Sequence, residues 1–160
     1  MGAYFLASLG IILILGCYGY VRSRRQRALD EAWEAQHPRD AFEYCGKTVH
    51  FYEDSHGNQV EYFDPAGRCY LWYPGNPVVL VGRWRCDESH VYFRYGYNTY
   101  NPVMGVIGGR WEPCPIALWS VSIVEAVPGD ILGLKRRLPF VLKPRPAIRS
   151  IRSLAASGRQ

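Results

Sequence analysis

The segment Val60-Glu61-Tyr62-Phe63-Asp64-Pro65-Ala66-Gly67-Arg68-Cys69-Tyr70-Leu71-Trp72-Tyr73 decides the fold. On its first side Val60 and Tyr62 alternate with Glu61 and Phe63; on its second, Cys69, Leu71 and Tyr73 alternate with Tyr70 and Trp72. A period of two is the signature of a strand, and Asp64-Pro65-Ala66-Gly67 supplies the residues of a tight turn between two of them. The same grammar extends outward. Upstream, Val49 and Phe51 alternate with His50 and Tyr52 ahead of the turn cluster Asp54-Ser55-His56-Gly57-Asn58. Downstream, Val78 to Trp84 and His90 to Tyr95 form two more runs, separated by Pro74-Gly75-Asn76-Pro77 and Cys86-Asp87-Glu88-Ser89. Parallel pairing needs crossovers of a dozen or more residues, so these short connections predict five consecutive antiparallel strands.

A sixth strand is expected around Ile107 to Glu112. A seventh is expected from Ile116 to Val127, with Ala117, Trp119, Val121 and Ile123 on one face and Pro128-Gly129 as its stop. The fold class is therefore mainly β, an antiparallel β-meander or small barrel of about seven strands, and closure would remove the edges that invite aggregation. Its density of aromatics, as in Tyr92, Phe93, Tyr95, Tyr97 and Tyr100, reads first as core.

Ahead of this domain, the first 21 residues carry no charge, and Arg22, Arg24, Arg25 and Arg27 follow at once. The apolar run Ala3 to Val21 makes roughly 28 Å of helix, enough to span a bilayer with little slack. Residues 1–21 are thus read as a transmembrane anchor. A cleaved signal wants positive charge before the apolar run, where this chain has none. Gly16-Cys17 suits a lipid-attachment site, but Leu15 is bulky for one, and Leu6 stands where myristoylation needs Ser or Thr. An uncleaved anchor with these arginines places the domain on the cytoplasmic side by the positive-inside rule, with a periplasmic or extracellular domain as the alternative. Residues 22–44 read as a juxtamembrane helix and linker, helical until Pro38, with Leu29 and Trp33 on one face. Residues 45–128 form the β-domain and 129–160 a basic, largely irregular tail.

The net charge of +5 conceals an asymmetry. Residues 22–27 and 135–160 carry twelve basic residues and no acid, whereas all fourteen acids lie between residues 28 and 134 against seven basic residues. An acidic body with basic ends argues against nucleic acid as a partner. It suits a lipid bilayer, which Arg22, Arg24, Arg25 and Arg27 would face. In the tail, Ile148, Ile151 and Leu154 recur between Arg149 and Arg152, the pattern of a short amphipathic turn lying on lipid or docking to other subunits of a membrane complex.

No constellation specifies a reaction, and the chain leans against being an enzyme. It lacks G-x-S-x-G, H-E-x-x-H and a P-loop, and Gly105-Val106-Ile107-Gly108-Gly109 is a flexible turn rather than a dinucleotide fingerprint. Glu61 and Asp64 could form an acid/base pair, but Asp64 before Pro65 and Gly67 is first a turn residue. Cys45, Cys69, Cys86 and Cys114 contain no C-x-x-C knuckle, and His37, His50, His56 and His90 are scattered, so no metal ligand, cofactor site or catalytic residue is assigned. The best recognition surface is the loop from Tyr95 to Pro102, with Tyr95, Tyr97, Asn98, Tyr100 and Asn101 supplying flat apolar area and adaptable hydrogen bonds. The competing reading folds these tyrosines back as a plug for the barrel end.

Tyr62 to Arg68, Leu71-Trp72 and Gly82-Arg83-Trp84 together resemble small bacterial β-meander domains of unknown function, often exported, that repeat a G-x-W signature. The resemblance spans about 40 residues and implies a half or whole small barrel, with cysteines placed as Cys86 and Cys114 are. Four domain cysteines admit three pairings, of which Cys86 to Cys114 is the candidate disulfide in an oxidising compartment. The resemblance implies no activity. The expected function is a membrane-anchored binding or assembly module, an accessory subunit of a membrane protein complex. The alternative is a periplasmic-side β-barrel domain that binds a small ligand or glycan.

Overall fold

The computed structural model describes residues 23–55, 57–101, 105–143 and 149–157. The expected anchor at residues 1–21, together with Arg22, lies outside them. Among the described residues no helix is long and apolar enough to cross a membrane. The chain divides into two units, the first ending at His37 and the second beginning at Pro38. In the first, residues 23–36 form helix α1. The Gln26 amide donates to Asp30 one turn on at 3.2 Å, and the Trp33 ring stacks on His37 at 4.4 Å between centroids. Pro38 disfavours helical geometry at the residue before it, and the helix ends there.

The second unit is a seven-stranded antiparallel sheet. Strands β1 (Lys47–Glu53), β2 (Gly57–Phe63), β3 (Arg68–Trp72), β4 (Leu80–Cys86) and β5 (His90–Tyr95) pair each with the next, as their spacing predicts. Strands β6 (Tyr100–Asn101) and β7 (Val106–Ile107) make a separate hairpin. Strand β8 (Glu112–Pro115) joins β5 at one edge and β9 (Ile123–Pro128) joins β1 at the other, for the order β8-β5-β4-β3-β2-β1-β9. The end strands β8 and β9 do not pair with each other, so the sheet is an open half-barrel rather than a closed one.

The expected seventh strand from Ile116 is corrected. Ile116–Trp119 form a short helix, α2, and Ser120–Ser122 a 3-10 turn, so only Ile123–Pro128 is extended. The cause is Trp119. Its ring lies 4.9 Å from Phe51, 5.6 Å from Phe63, 5.7 Å from Phe42 and 6.3 Å from Phe93, which plugs the concave side with one large aromatic. A strand would have alternated past that cavity; a helical turn delivers the side chain into it. Phe51 on β1 and Phe93 on β5 touch the same ring, so the curl brings well-separated strands together.

Each face of the sheet has its own core. Val49, Phe51, Phe63, Cys69, Trp84, Cys86 and Val91 point inward with Phe42. Val60, Tyr62, Tyr70 and Trp72 point outward, where the chain returns to cover them with Leu134, Leu142 and Leu154. The tail is anchored by its backbone as well. The Gly75 amide donates to the Leu142 carbonyl at 2.8 Å, and Trp72 Nε1 donates to the Phe140 carbonyl at 2.9 Å. Farther on, Ile151–Ser157 form helix α3, whose first amide donates to Glu125 at 2.8 Å. The reading of Ile151 and Leu154 as a lipid-lying stripe is corrected: both are fully buried, and Leu154 packs in the outward cluster with Val60, Tyr62, Tyr70 and Trp72.

Candidate functional site

The loop after β5 stands out from the sheet on a tightly built base. The Thr99 amide and hydroxyl both donate to the Gly96 carbonyl, at 3.0 and 2.7 Å, and the Gly109 amide donates to the Tyr95 carbonyl at 2.9 Å. A Cβ on Gly108 would lie 2.3 Å from the Gly96 carbonyl oxygen, so only glycine lets the two arms approach. Gly105-Val106-Ile107-Gly108-Gly109, read as a flexible turn, is thus the return arm of a defined hairpin.

Of the expected recognition residues, Tyr97 and Tyr100 are 85% and 63% exposed, Asn98 and Asn101 are exposed, and Ile107 across the hairpin is 67% exposed. Tyr95 goes the other way. Its hydroxyl donates to Glu61 at 2.6 Å on the concave face. The loop does not fold back as a plug; that place is taken by Trp119 and Phe42.

Glu61, Tyr95 and Cys69 form a buried polar cluster. Glu61 and Cys69 lie inward on neighbouring strands, and Tyr95 reaches them across Gly82, where a Cβ would sit 2.8 Å from both the Cys69 sulfur and the Tyr95 ring. Burial pushes the Glu61 carboxyl up to about 7 against the opposing pull of the Tyr95 and Cys69 hydrogen bonds, and raises the Cys69 thiol and Tyr95 phenol well above their ordinary values. A carboxyl poised near neutrality can hold or release a proton. Asp64, its suggested partner, is not part of this cluster. One Asp64 oxygen accepts from the Ala66 amide at 2.9 Å, as a turn residue does, and the other pairs with Lys135 at 2.7 Å.

All four domain cysteines are free thiols. Cys86 and Cys114 each pair with Val91, from β4 and β8 on opposite sides of β5, which separates them by two strand spacings, about 10 Å. A disulfide needs its Cα atoms within about 7 Å, so the candidate bridge does not suit this register. Arg24, Arg25 and Arg27 are exposed on α1.

On the convex face lies a surface that sequence reasoning missed. Register pairs Arg68 on β3 with Arg83 on β4, and Arg83 with Arg94 on β5, a row of three arginines across three strands. Arg85, two residues from Arg83, shares the face. The Arg85 and Arg94 guanidiniums lie 4.4 and 4.5 Å from the centre of the Trp111 ring. Beside the row is a shallow groove of about 390 Å³, lined by Arg68, Arg83 and Arg94 and bordered by Tyr97 and Gly109. The net acidic charge of residues 28–134 conceals this basic patch. The pairing that makes the cluster was hidden in hairpin lengths, since the three arginines stand 15 and 11 positions apart.

No protein-family model, curated protein sequence or solved structure matches this chain. The fold therefore defines the class, an antiparallel half-barrel with an exposed aromatic hairpin, and goes no further.

Proposed function

We propose that this protein is a membrane-anchored binding module that works as an accessory subunit of a membrane protein complex, gripping a partner subunit with the β6–β7 hairpin. One observation carries the reading: Tyr97, Tyr100 and Ile107 are left exposed on a hairpin whose base is held by several hydrogen bonds. Aromatic side chains of few rotamers on a rigid base form contacts at low entropic cost, and contiguous exposed apolar area marks interaction surfaces. The uncharged run at residues 1–21 and the arginines after it support the anchor and a cytoplasmic domain. The glycan-binding reading would use the same tyrosines from the opposite side of the membrane.

The test places a photo-crosslinking residue at position 97 or 100 of the full chain in native membranes, with position 124 as control, and a reporter at the carboxy terminus. The expected result is a discrete adduct with one membrane protein from the hairpin positions and a cytoplasmic reporter signal. Equal labelling from position 124 would sink the hairpin as the gripping surface, and an external carboxy terminus would end the cytoplasmic reading.

A further inference from the structure

We infer that the arginine row Arg68, Arg83 and Arg94 on the convex face is a binding site for a phosphate-bearing group. The inference concerns a surface beside the hairpin and holds whether or not the hairpin grips a partner. Its first ground is distribution. The seven basic residues between positions 28 and 134 are Arg39, Lys47, Arg68, Arg83, Arg85, Arg94 and Arg110. Four of them share one face of three adjacent strands in a segment otherwise dominated by acids.

The second ground is like-charge repulsion centred on Arg83. Directly paired positions on neighbouring strands bring side chains within about 5 Å, and like charges there destabilise a sheet. Among the described residues Arg83, the centre of the row, forms no ion pair. The acid whose charge Arg68 feels is Asp64, and Asp64 is already engaged by Lys135 at 2.7 Å and by the Ala66 amide. Arg94 is held over the Trp111 ring, which positions its guanidinium beside Arg83. A ligand with two negative charges resolves the row.

The third ground is shape. The groove of about 390 Å³ is lined by the three arginines together with Val81, Gly96, Gly109 and Tyr97. Each guanidinium is a planar fork that matches two oxygens. A carboxylate satisfies one fork; a phosphate monoester offers three oxygens to three forks. A phosphorylated lipid headgroup and a free phosphate ester share this chemistry.

The full chain in detergent is titrated with inorganic phosphate, glycerol 3-phosphate and short-chain phosphatidic acid, read by tryptophan fluorescence and by calorimetry. Saturable binding is expected, weakened at least tenfold in Arg83→Gln and in Arg68→Gln and unchanged in Arg137→Gln, an exposed arginine elsewhere. Tight binding of all three probes assigns a free phosphate ester, and tight binding of phosphatidic acid alone assigns a lipid source. Both variants change exposed side chains, and a thermal melt matching the parent excludes misfolding as the cause. Sulfate binding equal to phosphate and indifferent to Arg83→Gln would overturn the site as mere charge attraction. Binding of a single-stranded oligonucleotide that none of the three probes displaces would overturn it in favour of nucleic acid.

Discussion

The Tyr95 hydroxyl donates a 2.6 Å hydrogen bond to a Glu61 carboxyl that is itself buried under the curled sheet. Glu61 titrates near 7 when folded and near 4.5 when unfolded, so between those values the folded state holds a proton that the unfolded state has lost. Stability from this group is full below about pH 4.5 and falls as pH rises through 7, by on the order of 3 kcal/mol in all. His50 acts in the opposite sense. It is fully buried, its Nε2 pairs with Asn58 at 2.8 Å, and burial lowers its pKa below 6.5, so its contribution is lost as pH falls below that value. Denaturant unfolding across pH 4.5 to 8 should show the Glu61→Gln variant losing the downward slope toward neutrality while keeping the loss on the acid side. A parallel profile for parent and variant would refute the assignment.

Trp84 contributes through its ring and through one polar atom. The side chain is fully buried against Phe42 and Phe63, and its Nε1 donates to the Asp64 carbonyl at 3.0 Å. Trp84→Ala should cost about 3–5 kcal/mol by opening a cavity. Trp84→Phe keeps most of the packing but leaves the Asp64 carbonyl without this donor, and should cost about 1–3 kcal/mol beyond the lost volume. Urea denaturation of both variants separates the two contributions.

The returning tail is as much a part of the fold as the strands. Leu154 is fully buried in the outer cluster with Val60, Tyr62, Tyr70 and Trp72. Leu154→Ala should destabilise the domain by about 2–5 kcal/mol, and ending the chain after Ser150 should cost more. Proteolysis should then cut between residues 129 and 143 in the variants well before it does so in the parent. A tail that served only as a solvated extension would leave stability unchanged on truncation.

The five-strand meander was legible because alternation and turn residues act over a few positions, as Val60 to Tyr73 illustrates. Trp119 misled for the same reason. Ala117, Trp119, Val121 and Ile123 alternate as a strand does, and only the cavity between Phe51, Phe63 and Phe93 requires a helical turn there. The tail was obscured by composition: Leu134, Leu138, Phe140 and Leu142 are interleaved with arginine and proline, which reads as disorder until the aromatic outer face is known. The exposure of Tyr97 and Tyr100 was one of two readings their loop allowed, the other being a plug. The arginine row was not legible, since cross-strand neighbours belong to register, and register depends on the count of residues in each connection.

Tyr70 and Trp72 lie near the middle of the chain, yet their cover comes from residues 134 to 154. During synthesis the whole meander is made while one of its two aromatic faces remains wet. A nascent chain that has emerged through Pro128 already owns every strand of its sheet but displays Val60, Tyr62, Tyr70 and Trp72 to whatever is nearby. The domain is thus sticky for as long as the ribosome takes to add some 25 further residues, at about 5–20 residues per second. A stall or a frameshift within that interval would yield a protein with its topology complete and its outer face unsealed, a substrate for chaperones and proteases rather than a slightly shortened working copy.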